Sequence, residues 1–350
     1  MILGPREALD VYMRSGQPSV LGDEDSADLI MQAEELLHLP IPVLDQEIIM
    51  STAPCIDAQT LDELHELGLF SDVYTAVVCA DICRRHTRRL RSTVLDARLP
   101  AHSVLCMLPH VYIPSPALCI LLLARMQCVS FEELVFDISE LCGCYAYENV
   151  PLLERGLIER RPLVGVSDIV EFCERTRKLN YRAPRGIRRL ERALGFAIER
   201  ARSPFEIALG MNMALPTSRG GLQMPRFATN ACIQLSEREQ WALRRSYVES
   251  DFVWTEQKVI VEYCGGVNAD NREEGTLRMN ILQNKGYEVQ LISNSILCRF
   301  DAFMGSMYRL EKCIGTRIGR SADVQQKQRW LQGTTFRLAG RGGVIASEAC

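Results

Sequence analysis

The sequence predicts a mixed α/β fold, in which an α+β N-terminal domain precedes a mixed sheet flanked by helices. Three observations predict it. Strand-like apolar runs such as "DFVW" and "VIVEYC" alternate with segments of helical period. After residue 200 the elements read helix, hairpin, helix, strand, helix, an order that suits a sheet covered by helices. The chain has 350 residues, enough for two domains with a sizeable core.

Composition narrows the class. The chain is 47% hydrophobic and 24% charged, the balance of a soluble globular protein. It holds no apolar run of about 18 residues, so no membrane span is expected. The start, "MILGPREALDVYMRSG", lacks the basic-then-apolar order of a signal peptide. Its 14 cysteines are scattered, which fits reduced thiols in a cytoplasm. Residues 1–180 carry 15 Lys+Arg and 27 Asp+Glu, a net of −12, and residues 181–350 carry 25 and 17, a net of +8. A basic C-terminal half suits a polyanion such as nucleic acid, or a solvated face; charge alone does not choose.

The elements follow in order. "LDELHELGLF" (61–70) reads as a short amphipathic helix closed by Gly68. "VYTAVVCADICRRHTRRLR" opens strand-like and ends in a basic cluster, Arg84 to Arg91, that could bind phosphate or be solvated. Cys79, Cys83 and His86 have a helical spacing that could seat Zn²⁺, but a fourth ligand is missing and ordinary thiols are the simpler reading. "SVLCMLPHVYIPSP" reads as two short strands, and "ALCILLLARM" and "FEELVFDISELCG" as packed helices. Cys142 and Cys144, around Gly143, read as packing residues. "VSDIVEFCERTRKL" (166–179) is a helix with Ser167 as expected cap, and "PRGIRRLERALGFAIERA" (184–201) a basic amphipathic helix. A domain boundary is expected near 184. From 316 the chain turns polar, and 316–350 is expected to be a flexible tail.

"DFVWTEQKVIVEYCGG" (251–266) carries the chemistry. Two strand-like runs around "TEQK" (255–258) make a hairpin. Side chains alternate with period two, so Glu262 and Cys264 share a face. Pairing across the turn can bring Asp251 near Glu262. Two close carboxylates in a dry setting repel unless a cation compensates, and a hard divalent ion with oxygen ligands does so. "SPFEIALGMNMALP" (203–216) is a helix with Ser203 as cap and Pro204 in its first turn. Glu206 completes a Ser-x-x-Glu capping box, which by itself needs no catalytic role. Glu262 could likewise be an acid paired with Arg278 or Arg272. Next come a helix capped by Asn271 with core positions Leu277, Ile281 and Leu282, a stop at Gly286, the strand "YEVQLIS", and a helix over 300–314.

This order and these residues resemble the PD-(D/E)xK nuclease superfamily. More closely they are similar to the very-short-patch-repair-like endonuclease domains found behind regulator-like N-terminal regions in actinobacterial AbiEi-like, viral-defence-type proteins. The stretches that carry the resemblance are "SPFE", "LPTSRGGLQMP", "FATN", "SDFVW", "VIVEYCGG" and "RMNILQNKGYEVQLIS", with "LPHVYIPSPALCILLLAR" and "SELCGCYAY" upstream. It covers roughly residues 100–315. It implies a regulator-like domain over 1–184, which could meet a protein partner, and a restriction-endonuclease-like domain over 185–315. It implies that Glu206, Asp251 and Glu262 hold Mg²⁺ for hydrolysis of DNA, in DNA processing or phage defence. Arg272, Arg278 and Lys258 would approach phosphate. The chain departs from the pattern at three places: Cys264 stands where lysine or aspartate is usual, Asn268 where histidine is usual, and Gly275 where aspartate is usual. Cys264 is a poor Mg²⁺ ligand. The alternative implied by these departures is a catalytically inactive, antitoxin-like nucleic-acid-binding regulator on the same fold.

Overall fold

The computed structural model describes residues 1–14, 49–108, 110–148, 156–265 and 272–342. The fold is mixed α/β, with several small sheets and a four-stranded mixed sheet in the C-terminal part. Two compact units divide it, one reaching Gly195 and the other starting at Phe196. The division falls later than the expected 184 because the helix Ile187–Leu194 buries Ile187, Leu190, Ala193 and Leu194 within the first unit. No helix among the described residues is long and apolar enough to cross a membrane.

The N-terminal unit runs α1 (Pro5–Arg14), α2 (Ala58–Glu66), β1 (Tyr74–Val78), β2 (Leu90–Val94), β3 (Val104–Leu108), β4 (Val111–Pro114), α3 (Pro116–Arg125), α4 (Phe131–Leu141), β5 (Tyr145–Tyr147), β6 (Leu157–Glu159), α5 (Val166–Leu179) and α6 (Ile187–Leu194). β1 pairs β2 in parallel, while β3 with β4 and β5 with β6 are antiparallel. Helix α3 has no polar face, and Ala117 through Ala124 are all buried. Ser115 and Ser130 cap α3 and α4 through their hydroxyls. The cap of α5 is Gly165, not Ser167: the Gly165 N–H donates to the Asp168 carboxylate at 2.8 Å. Cys79, Cys83 and His86 are not on one helix. Only Asp81–Cys83 forms a short 3₁₀ turn, and the Cys83 thiol donates to the Ser51 carbonyl at 3.0 Å. Cys142 is buried at the end of α4, as packing requires.

The C-terminal unit runs α7 (Pro204–Ala214), β7 (Ala228–Gln234), α8 (Glu237–Leu243), β8 (Tyr247–Trp254), β9 (Val259–Cys264), α9 (Arg272–Asn284), β10 (Glu288–Ser293), α10 (Asn294–Leu297), α11 (Phe300–Ile314) and α12 (Ala322–Ala339). The strand order is β10-β9-β8-β7. β7, β8 and β9 are antiparallel neighbours, and β10 joins β9 in parallel through the crossover helix α9. Leu235, Leu243, Val248, Val253, Ile260, Ile281 and Leu282 form one apolar cluster under α8 and α9. Of the expected face of α9, Leu277 stays 36% exposed, so Ile281 and Leu282 carry its packing. Helix α7 covers the other face, where a Cβ on Gly210 would lie only 3.0 Å from the Phe252 ring.

The expected tail is corrected over most of its length. Ala322–Ala339 is an 18-residue helix packed on α7. Its buried side hides from a hydropathy reading because glutamine and threonine share it with leucine: Gln328, Leu331, Gln332, Thr334, Thr335 and Leu338. Two of those residues, Gln332 and Thr335, are bonded internally. Asn212 Nδ2 donates to Thr335 Oγ1 at 2.7 Å, and Gln332 Nε2 donates to the Leu297 carbonyl at 2.5 Å. The same packing explains "RGG". Gly220 has φ +86°, and a Cβ there would sit 2.2 Å from the Lys327 carbonyl oxygen. One at Gly221 would sit 1.9 Å from the Leu215 carbonyl oxygen.

Leu331 is fully buried in this contact. Leu331→Ala should lower the unfolding free energy of the full chain by about 3 kcal/mol in urea titration. An unchanged midpoint would mean that α12 does not belong to the folded unit.

Candidate functional site

The site forms where the sheet divides. β8 pairs β9 over three positions only, Phe252 with Val261, Val253 with Ile260 and Trp254 with Val259. Below these, β8 continues to Tyr247 paired with β7, and β9 continues to Cys264 paired with β10. The two inner strands therefore part, and a cavity of about 830 Å³ opens beside them. Glu206, Asn230, Asp251, Glu262 and Arg278 line it, with Arg202, Arg244 and Arg245 on its walls.

Each acid reaches the cavity for a local reason. Asp251 is the first β8 residue beyond the last β8–β9 pair, and its Oδ2 accepts from the Tyr263 N–H at 2.7 Å. The side chain thus takes the donor that the ladder would have used. Glu262 leaves β9 one step past Val261 and accepts from Arg278 Nη2 at 2.8 Å. The same Nη2 donates to the Glu249 carbonyl of β8. Arg278 so bridges the two strands across the gap. Glu206 stands in the first turn of α7; its N–H donates to Ser203 Oγ, but its carboxylate accepts from the Ser203 hydroxyl and not from the Ser203 N–H, so the expected capping box is only half made. Its other oxygen accepts from the Arg202 N–H at 2.8 Å and from Asn230 Nδ2 at 3.2 Å. Contact with the cap serine and a place on the cavity wall are therefore compatible: Glu206 has both, and is 6% exposed.

Burial sets the electrostatics. It raises the Asp251 pKa to about 8, and the negative charges of Glu206 and Glu262 push the same way. The Tyr263 N–H and Arg278 oppose them. Burial also raises Glu206, against the Arg202 N–H, Asn230 and Ser203. Glu262 is raised by burial and pulled back by Arg278. Cys264 ends β9, half-buried; burial, Glu262 and Asp251 all raise its thiol, so it stays neutral. Cys264 itself is not among the residues that line the cavity.

The remaining expected residues divide. Lys258 lies in the hairpin turn with φ +54° and donates to the Lys285 carbonyl at 3.0 Å. It closes the end of α9 and is not on the cavity wall. Arg278 points inward to an acid. Arg272 is the first residue of α9, but its side chain, like Asn268, lies outside the described residues. Gly275 is on the wall. The sequence reading missed Arg202, Arg244, Arg245 and the role of Asn230. Asn230 falls between the pairs Thr229–Phe252 and Ala231–Ser250 of the β7–β8 register and has φ +45°. That conformation is uncommon for a residue with a Cβ and turns its amide onto Glu206. The "N" of "FATN" was the available signal.

The donor set is all hard oxygen, which suits Mg²⁺, and Asp251 is raised first by burial and then by the two neighbouring acids. The arrangement itself is not a closed coordination shell. Among the described residues no group of three or more His, Cys, Asp or Glu side chains is placed to hold a metal ion. Glu206 is engaged by its cap donors and Glu262 by Arg278. No family model, curated protein or solved structure matches the chain.

The charge balance makes a stability prediction. Folded Asp251 keeps its proton up to about pH 8, whereas an unfolded aspartate loses it near about pH 4. Between those values unfolding releases a proton, so stability falls as pH rises, by at most about 1.4 kcal/mol per unit. Asp251→Asn removes this loss and keeps an acceptor for the Tyr263 N–H. Its Tm should therefore gain on the wild type steadily from about pH 5 to about pH 8. A difference that is flat with pH would show that Asp251 carries no such proton.

Proposed function

We propose that the C-terminal unit is a nuclease-type domain directed at DNA, with Glu206, Asp251 and Glu262 as ligands for Mg²⁺. One observation carries the reading: three carboxylates, Glu206 and Glu262 buried and Asp251 half-buried, come from one helix and two strands to line one cavity that arginines also line. Bound Mg²⁺ would supply positive charge for activating water and for stabilising the scissile phosphate. The chain's own groups do the rest. Ser203 and Asn230 orient Glu206, and the Tyr263 N–H fixes Asp251. Arg244 and Arg245, exposed on the wall, draw the phosphate backbone to the cavity. This reading agrees with the resemblance to very-short-patch-repair-like domains, and with a role in DNA processing or phage defence.

A second reading has its own observation. Arg278 already satisfies Glu262, and the neutral Cys264 gives the cleft neither lysine nor aspartate beside it. On that reading the unit binds nucleic acid as an inactive, antitoxin-like regulator.

Calorimetric titration with Mg²⁺ separates the two, followed by a plasmid-nicking assay. The nuclease reading expects Mg²⁺ to bind, Asp251→Asn and Glu262→Gln to abolish binding, and Cys264→Asp or Cys264→Lys to raise cleavage about tenfold or more. Thermal melts confirm that the variants are folded. DNA binding without Mg²⁺ binding selects the regulator. Neither Mg²⁺ nor DNA binding would overturn both.

A further inference from the structure

The wall of the same cavity carries a feature that metal binding does not use. Helix α8 and the four residues after it read "EREQWALRRSY" (237–247). Trp241 is 86% exposed and Tyr247 is 43% exposed. Tryptophan is usually well covered, because water gains little from its large apolar rings. Arg238, Arg244 and Arg245 are exposed in the same stretch. The segment is held firmly rather than loosely. Leu243 is buried in the sheet cluster, and the Ser236–Glu239 capping box fixes the start of the helix. Glu239 is tied to Lys285 at 2.9 Å, which neutralises an acid of the helix. Arg244 ends α8 with φ +53°, a conformation uncommon for a residue with a Cβ. The chain turns there and sets Arg244, Arg245, Ser246 and Tyr247 directly on the cavity wall. Trp241 lies one helical turn before the two arginines.

We propose that this stretch is a single-strand binding platform: unpaired bases stack on Trp241 and Tyr247 while Arg244 and Arg245 hold the connecting phosphates. The proposal rests on the DNA-directed reading of the cavity and names its substrate class. The chemistry is that of sequence-tolerant strand binding, in which aromatic faces alternate with cations along one path. A duplex cannot use it fully, because its bases are already stacked and paired. The stretch leads to the acids, since Tyr247 begins β8 and Asp251 stands four residues on in the same strand. A strand held there passes its backbone across the cavity.

The chain supplies its own reporter. It has three tryptophans, of which Trp254 is 2% exposed and Trp330 is 54% exposed. In Trp330→Phe, quenching reports on Trp241 alone among exposed tryptophans. The titrants are a thymidine oligonucleotide of about 15 nucleotides and a blunt duplex of the same length, at low salt with EDTA. The oligonucleotide should quench Trp241 and bind more tightly than the duplex. Trp241→Ala should weaken oligonucleotide binding about tenfold and leave duplex binding nearly unchanged. Trp241 is so exposed that the variant keeps the fold, which a melting curve checks. Equal binding of both forms without quenching would overturn this inference and leave the DNA-directed reading standing. Binding of neither form would overturn both. EDTA keeps the result independent of whether the site cleaves.

Discussion

Arg278 does the work that the β8–β9 ladder stops doing. One of its nitrogens bonds to the carbonyl of Glu249 on β8 and to the carboxylate of Glu262 on β9. Without it, two strands that part after three pairs would leave a buried acid and an unpaired carbonyl facing each other. The guanidinium suits the task because its donors are planar, fixed in direction and always charged. It sits on α9, the crossover that makes β10 parallel to β9, so the topology of the sheet puts the cation at the gap. Everything else in the site follows from that gap.

Two cations act on three acids, Arg278 on Glu262 and Asp251 and Arg202 on Glu206, and they do not offset burial. Glu206 and Glu262 both press on Asp251, and burial denies all three the solvation they would have in water. The local hydrogen bonds are good, with the Tyr263 N–H on Asp251 and three donors on Glu206. They still leave Asp251 holding a proton near neutral pH. Proteins seldom keep such a cluster for stability, because apolar residues in its place pack at lower cost. The proposed function gives such a cluster, open to a cavity with arginines on its wall, a reason to be kept: a cation would offset its charge.

The period-two pattern of "VIVEYC" made the hairpin and the shared side of Glu262 and Cys264 readable, and Ser203-Pro204 announced α7. The helix–strand order gave the mixed sheet. Other parts were hidden for physical reasons. α12 buries glutamines and threonines, of which Gln332 and Thr335 bond internally, so its sequence looks like a polar tail. α6 belongs to the first unit because of what it packs on, which no local pattern reports. The choice between a cap contact and a site at Glu206 could not be made from spacing, since the residue has both. Arg278 had two readings, a phosphate contact and an ion-pair partner of Glu262, and spacing could not choose; the structure shows the pair at 2.8 Å. Asn230 was concealed because its part depends on a left-handed backbone at one position of β7.

The central claim is that the cleft acids take a divalent cation. The most direct test is a crystal of the protein grown with Mn²⁺, a substitute for Mg²⁺ with a usable anomalous signal. The account predicts an anomalous peak bounded by Glu206, Asp251 and Glu262, with Arg278 withdrawn from Glu262. A cleft without a peak at saturating Mn²⁺, with the Arg278–Glu262 pair intact, would contradict it.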